Sequence, residues 1–481
     1  MTVRHDTTGA RRLLLVVADG VRPDVLAEEM DAGRAPALAA LRQQGSAHTI
    51  TSSFPSVTGP AYVPFLMGTH PARVGMPGLR WFDRSRSLRW ASGQSRSYAG
   101  IDIWHVDGDL ATDVPTLLEY AQPSLVALSM IGRGATHGRI GRGVGWMFRA
   151  APAHFRGDLL GWRRVEQYAH KVFFDRFARI RPRMSVLGIL SGDKFAHKYG
   201  SRSDAVRAAV ADVDTAVATA QRIAERDGWR ESLHIWLTGD HGHDDITQHE
   251  DLHGWLESQG LRVRAHPRLN VRNPDVVLMV GGNAMAHLYF TPNERARRWW
   301  SSHAPAWDRL LDRLVERPGI DLLAVNVSAD VVQIRHHGRG TAEVRHSRPG
   351  SNERWSYVCT DGDPLELGGS LHDLDADTAW EVTAGGRYPD ALVQLSLLGA
   401  SARSGDVLVS AAEGWDLRAR FEPVPHVSTH GALLRDQMLV PLIVDVPVTR
   451  LPQRTTDIVP SALDLLAITT DIAFDGRSFL R

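Results

Sequence analysis

The stretch Arg11-Arg12-Leu13-Leu14-Leu15-Val16-Val17-Ala18-Asp19-Gly20 decides the predicted fold. Its apolar run leaves no polar face, so it predicts a β-strand that is buried on both sides. Such strands belong to parallel sheets that are covered by helices. Asp19 falls at the carboxyl end of the strand, and ligands bind outside the carboxyl ends of the strands in such sheets.

The rest of the chain repeats this alternation of strand and helix. Further buried strands are predicted at residues 185–191, 234–238 and 438–444, and helices at residues 36–44, 203–226 and 458–465. The alternation predicts an α/β fold with a doubly wound, mostly parallel sheet and helices on both faces.

One region interrupts the alternation. Residues from about 255 to 400 contain short strand-like runs and turns rich in Gly and Asp, which predict an inserted cap subdomain. We therefore expect three parts: a first part of the core at 11–254, the inserted cap at 255–400 and the final part of the core at 401–481.

The composition excludes several classes of protein. The 481 residues carry a formal net charge of zero, so no basic surface for a nucleic acid polymer is expected. No stretch is long and apolar enough to span a bilayer, so no membrane partner is expected. Cys359 is the single cysteine, which excludes a disulfide within the chain and predicts a cytoplasmic protein. The sequence leaves the oligomeric state open.

A second informative stretch is Val57-Thr58-Gly59-Pro60-Ala61-Tyr62. It follows a Pro-containing loop and precedes an apolar run, so we expect a helix to begin here with Thr58 at its N-cap. The N–H groups at a helix N-terminus lack partners within the helix and attract anions. Thr58 would therefore either only cap the helix or present its hydroxyl to a phosphate.

Further candidate ligands lie at or after the ends of the predicted strands: Asp19, Asp193, His197, Asp240, His241 and His430. Together with the Thr58 hydroxyl they offer oxygen and nitrogen donors that suit Zn²⁺ or another divalent ion. Asp193 and His197 are four residues apart, which places both on one side of a helical turn. Asp240 and His241 are adjacent, so each could serve one of two metals or both could bracket a single metal.

A polar cluster follows the third predicted strand and contains His243, Asp244, His249 and His253. Such side chains either line the mouth of a pocket or belong to a solvated loop. We expect the solvated loop, because polar connecting segments usually lie on the surface.

The order of these motifs resembles that of the alkaline phosphatase superfamily, and in particular the type I phosphodiesterase/nucleotide pyrophosphatase family. The matching motifs are Val17-Ala18-Asp19-Gly20, the Thr58 loop with Gly68-Thr69-His70-Pro71, Gly192-Asp193 with His197, Thr238-Gly239-Asp240-His241-Gly242, and Ser428-Thr429-His430-Gly431. The resemblance covers nearly the whole chain. It implies that one zinc ion lies among Asp19, Thr58, Asp240 and His241, and that a second is held by Asp193, His197 and His430.

The resemblance also implies a function. It is the hydrolysis of small phosphate esters, of the phosphodiesterase or pyrophosphatase type, through a phospho-enzyme at Thr58 between two divalent metal ions. Ser53 and Ser56 are rival hydroxyls, but the spacing to Gly68 and the predicted N-cap favour Thr58. Two alternatives use the same scaffold, namely phosphomonoester or phosphonate hydrolysis and a non-catalytic metal-binding relative.

The chain departs from the family next to this loop. Leu79 stands where the nucleotide pyrophosphatases usually have an Asn that contacts the phosphate. Arg80 follows, and its planar guanidinium could bind a phosphate oxygen. Arg80 could equally be a surface ion-pair residue.

Overall fold

The fold was obtained from a computed structural model, which describes residues 4–5, 11–86, 94–349, 352–418 and 425–481. Its centre is a seven-stranded sheet with the strand order Ser46–Thr51, Leu439–Val444, Leu233–Thr238, Arg12–Ala18, Met184–Ile189, Ser124–Ala127 and Arg139–Ile140. The last five strands in this order run parallel to one another. Leu439–Val444 runs antiparallel to both of its neighbours. The predicted, mostly parallel sheet is confirmed.

Helices cover both faces of this sheet because its central strand is apolar on both sides. Leu13 and Leu15 lie in one apolar layer, and Leu14 and Val16 lie in the other. The layer with Leu13 is formed by the helices Tyr62–Met67, Val106–Asp109, Leu117–Tyr120 and Ile458–Leu465. The layer with Leu14 is formed by the helices Pro23–Asp31, Pro36–Gln44, Leu159–Ile180, Ser191–Tyr199 and Asp204–Arg226.

A second, nine-stranded sheet occupies most of the region that interrupts the alternation. Its strand order is Val263–Ala265, Val276–Gly281, Met285–Phe290, Val407–Ala411, Ile320–Asn326, Val331–His336, Gly340–Ser347, Arg354–Gly362 and Leu371–Leu374. The first pair is parallel and the remaining pairs are antiparallel. Its covering helices include Leu252–Ser258, Trp300–Val315, Ala376–Ala384 and Ala391–Ala400.

One strand of this sheet comes from the predicted final part of the core. Val407–Ala411 lies between Met285–Phe290 and Ile320–Asn326 and pairs with both. The predicted boundary between residues 400 and 401 therefore does not coincide with a boundary between the two sheets. The three-part division itself remains a prediction.

Short elements connect the sheets. The strand Asp244–Asp245 pairs with Ser428–Thr429, and Gln248–His249 pairs with Trp415–Asp416. The first of these pairs brings the segment after Asp240 beside the segment that ends in His430. The other short elements are the strand pairs Arg80–Phe82 with Ser95–Ser97 and Arg4–His5 with Ile468–Thr469, the helices Val144–Phe155 and Arg435–Met438, and the 3-10 helices Pro71–Val74, Ile101–His105, Arg230–Ser232 and Thr455–Asp457. None of the described helices combines the length and the apolar character needed to cross a membrane.

Candidate metal centre

The carboxyl ends of two neighbouring strands carry the first group of candidate ligands. Asp19 directly follows the strand Arg12–Ala18, and Asp240 lies just after the strand Leu233–Thr238. These two strands pair in parallel. His241 Nε2 lies 3.4 Å from Asp19 Oδ1 and 3.5 Å from Asp240 Oδ2. All three side chains are buried. The structure therefore brings these three predicted residues together.

Two members of the second group follow the strand Met184–Ile189, which pairs with Arg12–Ala18 on the side opposite to Leu233–Thr238. Asp193 and His197 belong to the helix Ser191–Tyr199, and His197 Nε2 lies 3.1 Å from Asp193 Oδ1. His430 Nε2 lies 3.4 Å from the same oxygen. The rings of His430 and His241 stack with centroids 3.6 Å apart and planes 2° from parallel. The two groups therefore adjoin, as a site for two ions requires.

Gly20 permits this close approach. Its φ is +67°, and a Cβ there would lie 2.9 Å from both Asp193 Cα and His243 Cδ2. Its N–H donates to Asp240 Oδ1 at 3.3 Å. A residue with a side chain would therefore be strained at this position and would push the two groups apart.

Thr58 lies beside the first group, but the predicted N-cap is wrong. The following helix begins at Tyr62, with Ala61 as its N-cap and no side-chain cap. A tight turn comes first, because the Tyr62 N–H donates to the Gly59 carbonyl and Gly59 has a φ of +111°. Thr58 Oγ1 lies 3.2 Å from His241 Nε2. The hydroxyl is thus positioned by the turn and faces the ligand groups.

The rival hydroxyls have different surroundings. Ser56 Oγ donates to the Ala432 carbonyl at 3.0 Å and accepts the Gly431 N–H at 3.2 Å. Ser56 therefore fixes the segment that carries His430. Ser53 Oγ is buried and has no hydrogen-bond partner within the described part of the chain. Of the three hydroxyls, that of Thr58 contacts a candidate ligand side chain.

The three predicted histidine ligands share one orientation. Each donates its Nδ1–H to a backbone carbonyl: His197 to Ser428 at 2.8 Å, His241 to Gly242 at 3.0 Å and His430 to Ser56 at 2.9 Å. This leaves each Nε2 lone pair directed at the other ligands. Histidines that bind metals usually have their second nitrogen fixed in this way.

Two of the buried carboxylates, those of Asp19 and Asp240, form no ion pair with a Lys or Arg in the described part of the chain. Asp19 Oδ1 and Asp240 Oδ2 are buried and make no hydrogen bond to any described residue. Burial, followed by the charges of Asp240 and Asp193, raises the pKa of Asp19 well above its ordinary value. Burial also raises the pKa of Asp240. Divalent cations would supply the missing charge, so the donor set fits metal ions.

His243 belongs to this centre, and the predicted solvated loop is wrong for it. The side chain is fully buried, with Nε2 3.0 Å from Asp193 Oδ1 and Nδ1 2.8 Å from Ser428 Oγ. Burial lowers its pKa to about 3, so its ring is neutral. A signal was present in the sequence, because residues two apart in an extended segment point to one side, and His241 and His243 are two apart.

We expect His243→Ala to weaken metal binding about tenfold, because Asp193 loses the N–H that holds its carboxylate. The measurement is the metal retained during titration with a chelator. His249→Ala is the matched control, since that imidazole is more exposed and contacts Asp416 instead. Metal retention by His243→Ala equal to that of the unaltered protein would contradict this role.

Arg80 is the predicted substrate-binding residue. Its Nη1 donates to the Val280 carbonyl at 3.0 Å and its Nε to Ser97 Oγ at 3.2 Å. Val280 lies two residues before Gly282. The Gly282 carbonyl accepts a hydrogen bond from the hydroxyl of Thr429 at 3.0 Å, and Thr429 directly precedes His430. Arg80 is thus linked to the segment beside the centre, and its role in substrate binding remains a prediction.

The doubly wound sheet has the alkaline-phosphatase-like fold, and groups of buried Asp and His that could hold metal ions lie at its carboxyl edge. The chain belongs to the type I phosphodiesterase / nucleotide pyrophosphatase family, because the model of that family matches residues 13–433. The members are metal-dependent hydrolases of phosphoric esters. The predicted family is confirmed.

Solved structures share the fold over nearly the whole chain. The murine ectonucleotide pyrophosphatase / phosphodiesterase 5 is 13% identical, with a TM-score of 0.59 and 97% of each chain covered. The phosphonoacetate hydrolase from Sinorhizobium meliloti 1021, in complex with phosphonoformate, is 16% identical, with a TM-score of 0.55 and coverage of 95% of this chain and 96% of that chain. No curated protein matches the sequence. At these identities the likeness concerns the fold.

Proposed function

We propose that the protein hydrolyses phosphodiesters or pyrophosphates with two zinc ions and with Thr58 as its nucleophile. The observation that carries this proposal is the 3.2 Å separation of Thr58 Oγ1 from His241 Nε2. His241 lies in one ligand group and stacks on His430 of the other. A hydroxyl at the junction of two ligand groups has the position that a nucleophile needs in two-metal phosphoryl transfer.

We assign the remaining side chains to the two ions as the resemblance to the family implies. One ion would be held by Asp19, Thr58, Asp240 and His241, and the other by Asp193, His197 and His430. Bound divalent ions lower the pKa of a hydroxyl and neutralise charge on phosphoryl oxygens. Imidazole and carboxylate donors together suit zinc.

The chain's own chemistry is a double displacement. Thr58 Oγ attacks phosphorus while its proton passes to solvent, and the bond to the leaving oxygen breaks on the opposite side. The leaving group departs and takes up a proton from water, which leaves phospho-threonine. Water then attacks the same phosphorus and the bond from phosphorus to Thr58 Oγ breaks. One proton of the water restores the Thr58 hydroxyl, and the remaining hydroxyl group leaves on the phosphoryl product. Arg80 would bind a phosphoryl oxygen through its planar guanidinium.

The substrate would be a small molecule, and the protein would act in the cytoplasm. An inactive variant of the murine relative was solved in complex with AMP, at 13% identity and a TM-score of 0.58. The Sinorhizobium meliloti enzyme was solved with phosphonoformate. Small phosphate and phosphonate ligands thus suit this fold. The single cysteine, Cys359, suits a reducing compartment.

A substrate comparison tests the proposed activity. We expect the zinc-loaded protein to hydrolyse bis(p-nitrophenyl) phosphate with a kcat/KM roughly tenfold above that for p-nitrophenyl phosphate, because its family is that of the type I phosphodiesterases. Faster cleavage of the monoester or of phosphonoacetate would establish one of the alternative hydrolases. Failure to cleave any of the three compounds would favour a non-catalytic metal-binding relative.

A further inference from the structure

Glu166 is a buried carboxyl group close to the metal centre that the proposed mechanism does not use. It lies in the helix Leu159–Ile180 and is 2% exposed. Its Oε1 accepts the backbone N–H of Leu190 and, at 3.3 Å, that of Ser191. These two N–H groups stand at the start of the next helix, Ser191–Tyr199.

That next helix lacks a cap of its own. Its N-cap residue is Leu190, an apolar residue, and no side chain within the helix accepts a hydrogen bond there. The first N–H groups of a helix have no partner inside it and must find one elsewhere. Glu166 supplies from a neighbouring helix an acceptor for two of these N–H groups, those of the N-cap residue Leu190 and of the first helical residue Ser191.

The capped helix carries two candidate metal ligands. Asp193 is its third residue, and His197 follows one turn later. Asp193 Oδ1 lies within 3.4 Å of the Nε2 atoms of His197, His243 and His430. A shift of the first helical turn would therefore separate Asp193 from every partner that it has in the centre.

Further contacts fix the two helices against each other. His170 Nε2 bonds with the Gly188 carbonyl at 3.1 Å, and Lys194 Nζ lies 5.6 Å from the centroid of the Trp162 ring. Trp162, Glu166 and His170 are spaced by four residues and so share one face of their helix. This face therefore packs against the strand Met184–Ile189, through Gly188, and against the helix Ser191–Tyr199 that carries Asp193.

We propose that Glu166 is a positioning residue of the metal centre, which holds the first turn of the helix Ser191–Tyr199 and thereby strengthens metal binding by Asp193 and His197. The inference rests on the proposed function in that it takes these two residues as metal ligands. It adds to the centre a residue that is not itself a ligand and that lies in the helix Leu159–Ile180.

The test compares Glu166→Ala, Glu166→Asp and Glu166→Gln with a matched loss of another helix cap. Ser203 caps the helix Asp204–Arg226 by accepting the Val206 N–H at 3.4 Å, and that helix carries no candidate ligand. Ser203→Ala is therefore the control. The measurements are the zinc affinity of the full chain, by competition with a chromophoric chelator, and the melting temperature of the metal-free protein.

We expect Glu166→Ala and Glu166→Asp to bind one of the two zinc ions at least about tenfold more weakly, since a shortened side chain no longer reaches both N–H groups. Glu166→Gln keeps an acceptor oxygen and should retain the zinc affinity within about threefold. Ser203→Ala should lower the melting temperature and leave the zinc affinity unchanged.

Two results would overturn the inference. One is a zinc affinity of Glu166→Ala equal to that of the unaltered protein, and the other is an equal loss of affinity in Ser203→Ala. Where the alanine variant does not fold, the aspartate variant decides in the same way. An unaltered protein that binds no metal contradicts the proposed function itself, which separates that failure from a failure of Glu166 alone.

Discussion

Thr58→Ala should lower kcat for a phosphodiester at least about 1,000-fold while both metal ions stay bound, because it removes the attacking oxygen and leaves the carboxylate and imidazole ligands in place. Thr58 Oγ1 contacts His241 Nε2 at 3.2 Å and makes no hydrogen bond to Asp19 or Asp240 in the described part of the chain, so we expect its loss to leave those two side chains in place. The measurements are steady-state kinetics and metal analysis on the same preparation.

The matched control for this variant is Thr58→Ser. Serine keeps the hydroxyl at the same position, so we expect kcat within about 100-fold of the unaltered protein. An alanine variant as active as the serine variant would show that another group attacks phosphorus. The next hydroxyl to examine would be that of Ser53, which is buried and has no described hydrogen-bond partner.

Asp240→Asn should remove one metal ion per chain and lower kcat at least about 1,000-fold. Asp240 is fully buried, and its Oδ1 accepts the N–H groups of Gly20 and His241. An amide can keep these contacts, but it lacks the negative charge that a divalent ion needs in a buried site. Metal content per chain is the measurement.

Asp214→Asn is the control for that substitution. Asp214 is also buried and accepts a backbone N–H, that of Leu38, at 2.9 Å. It lies outside both ligand groups, so this variant should keep two metal ions and normal turnover. If Asp240→Asn retained two metal ions per chain, Asp240 would not be a metal ligand.

The features that local sequence determines were predicted well. Apolar runs placed the central strands within a residue or two, and the helices Pro36–Gln44 and Ile458–Leu465 have the predicted bounds. Because parallel strands gather their carboxyl ends at one edge, Asp19 and Asp240 could be expected to meet there. The grouping of the histidines depended on the resemblance to a known family.

Other features depend on contacts between distant segments. The sequence around Thr58 is typical of an N-cap, but the left-handed Gly59 inserts a tight turn before the helix. The polar neighbours of His243 predict a surface loop, whereas hydrogen bonds with Asp193 and Ser428 hold its side chain in the buried centre. No local pattern shows which sheet receives Val407–Ala411, since both sheets accept apolar strands.

The most direct test of the two-metal centre is the anomalous diffraction of a crystal of the zinc-loaded protein. We expect two zinc peaks about 4 Å apart. One should lie against Asp19, Asp240 and His241 and the other against Asp193, His197 and His430, with Thr58 Oγ1 facing the first. A single peak, or zinc bound away from both groups, would contradict the two-metal centre and the mechanism built on it.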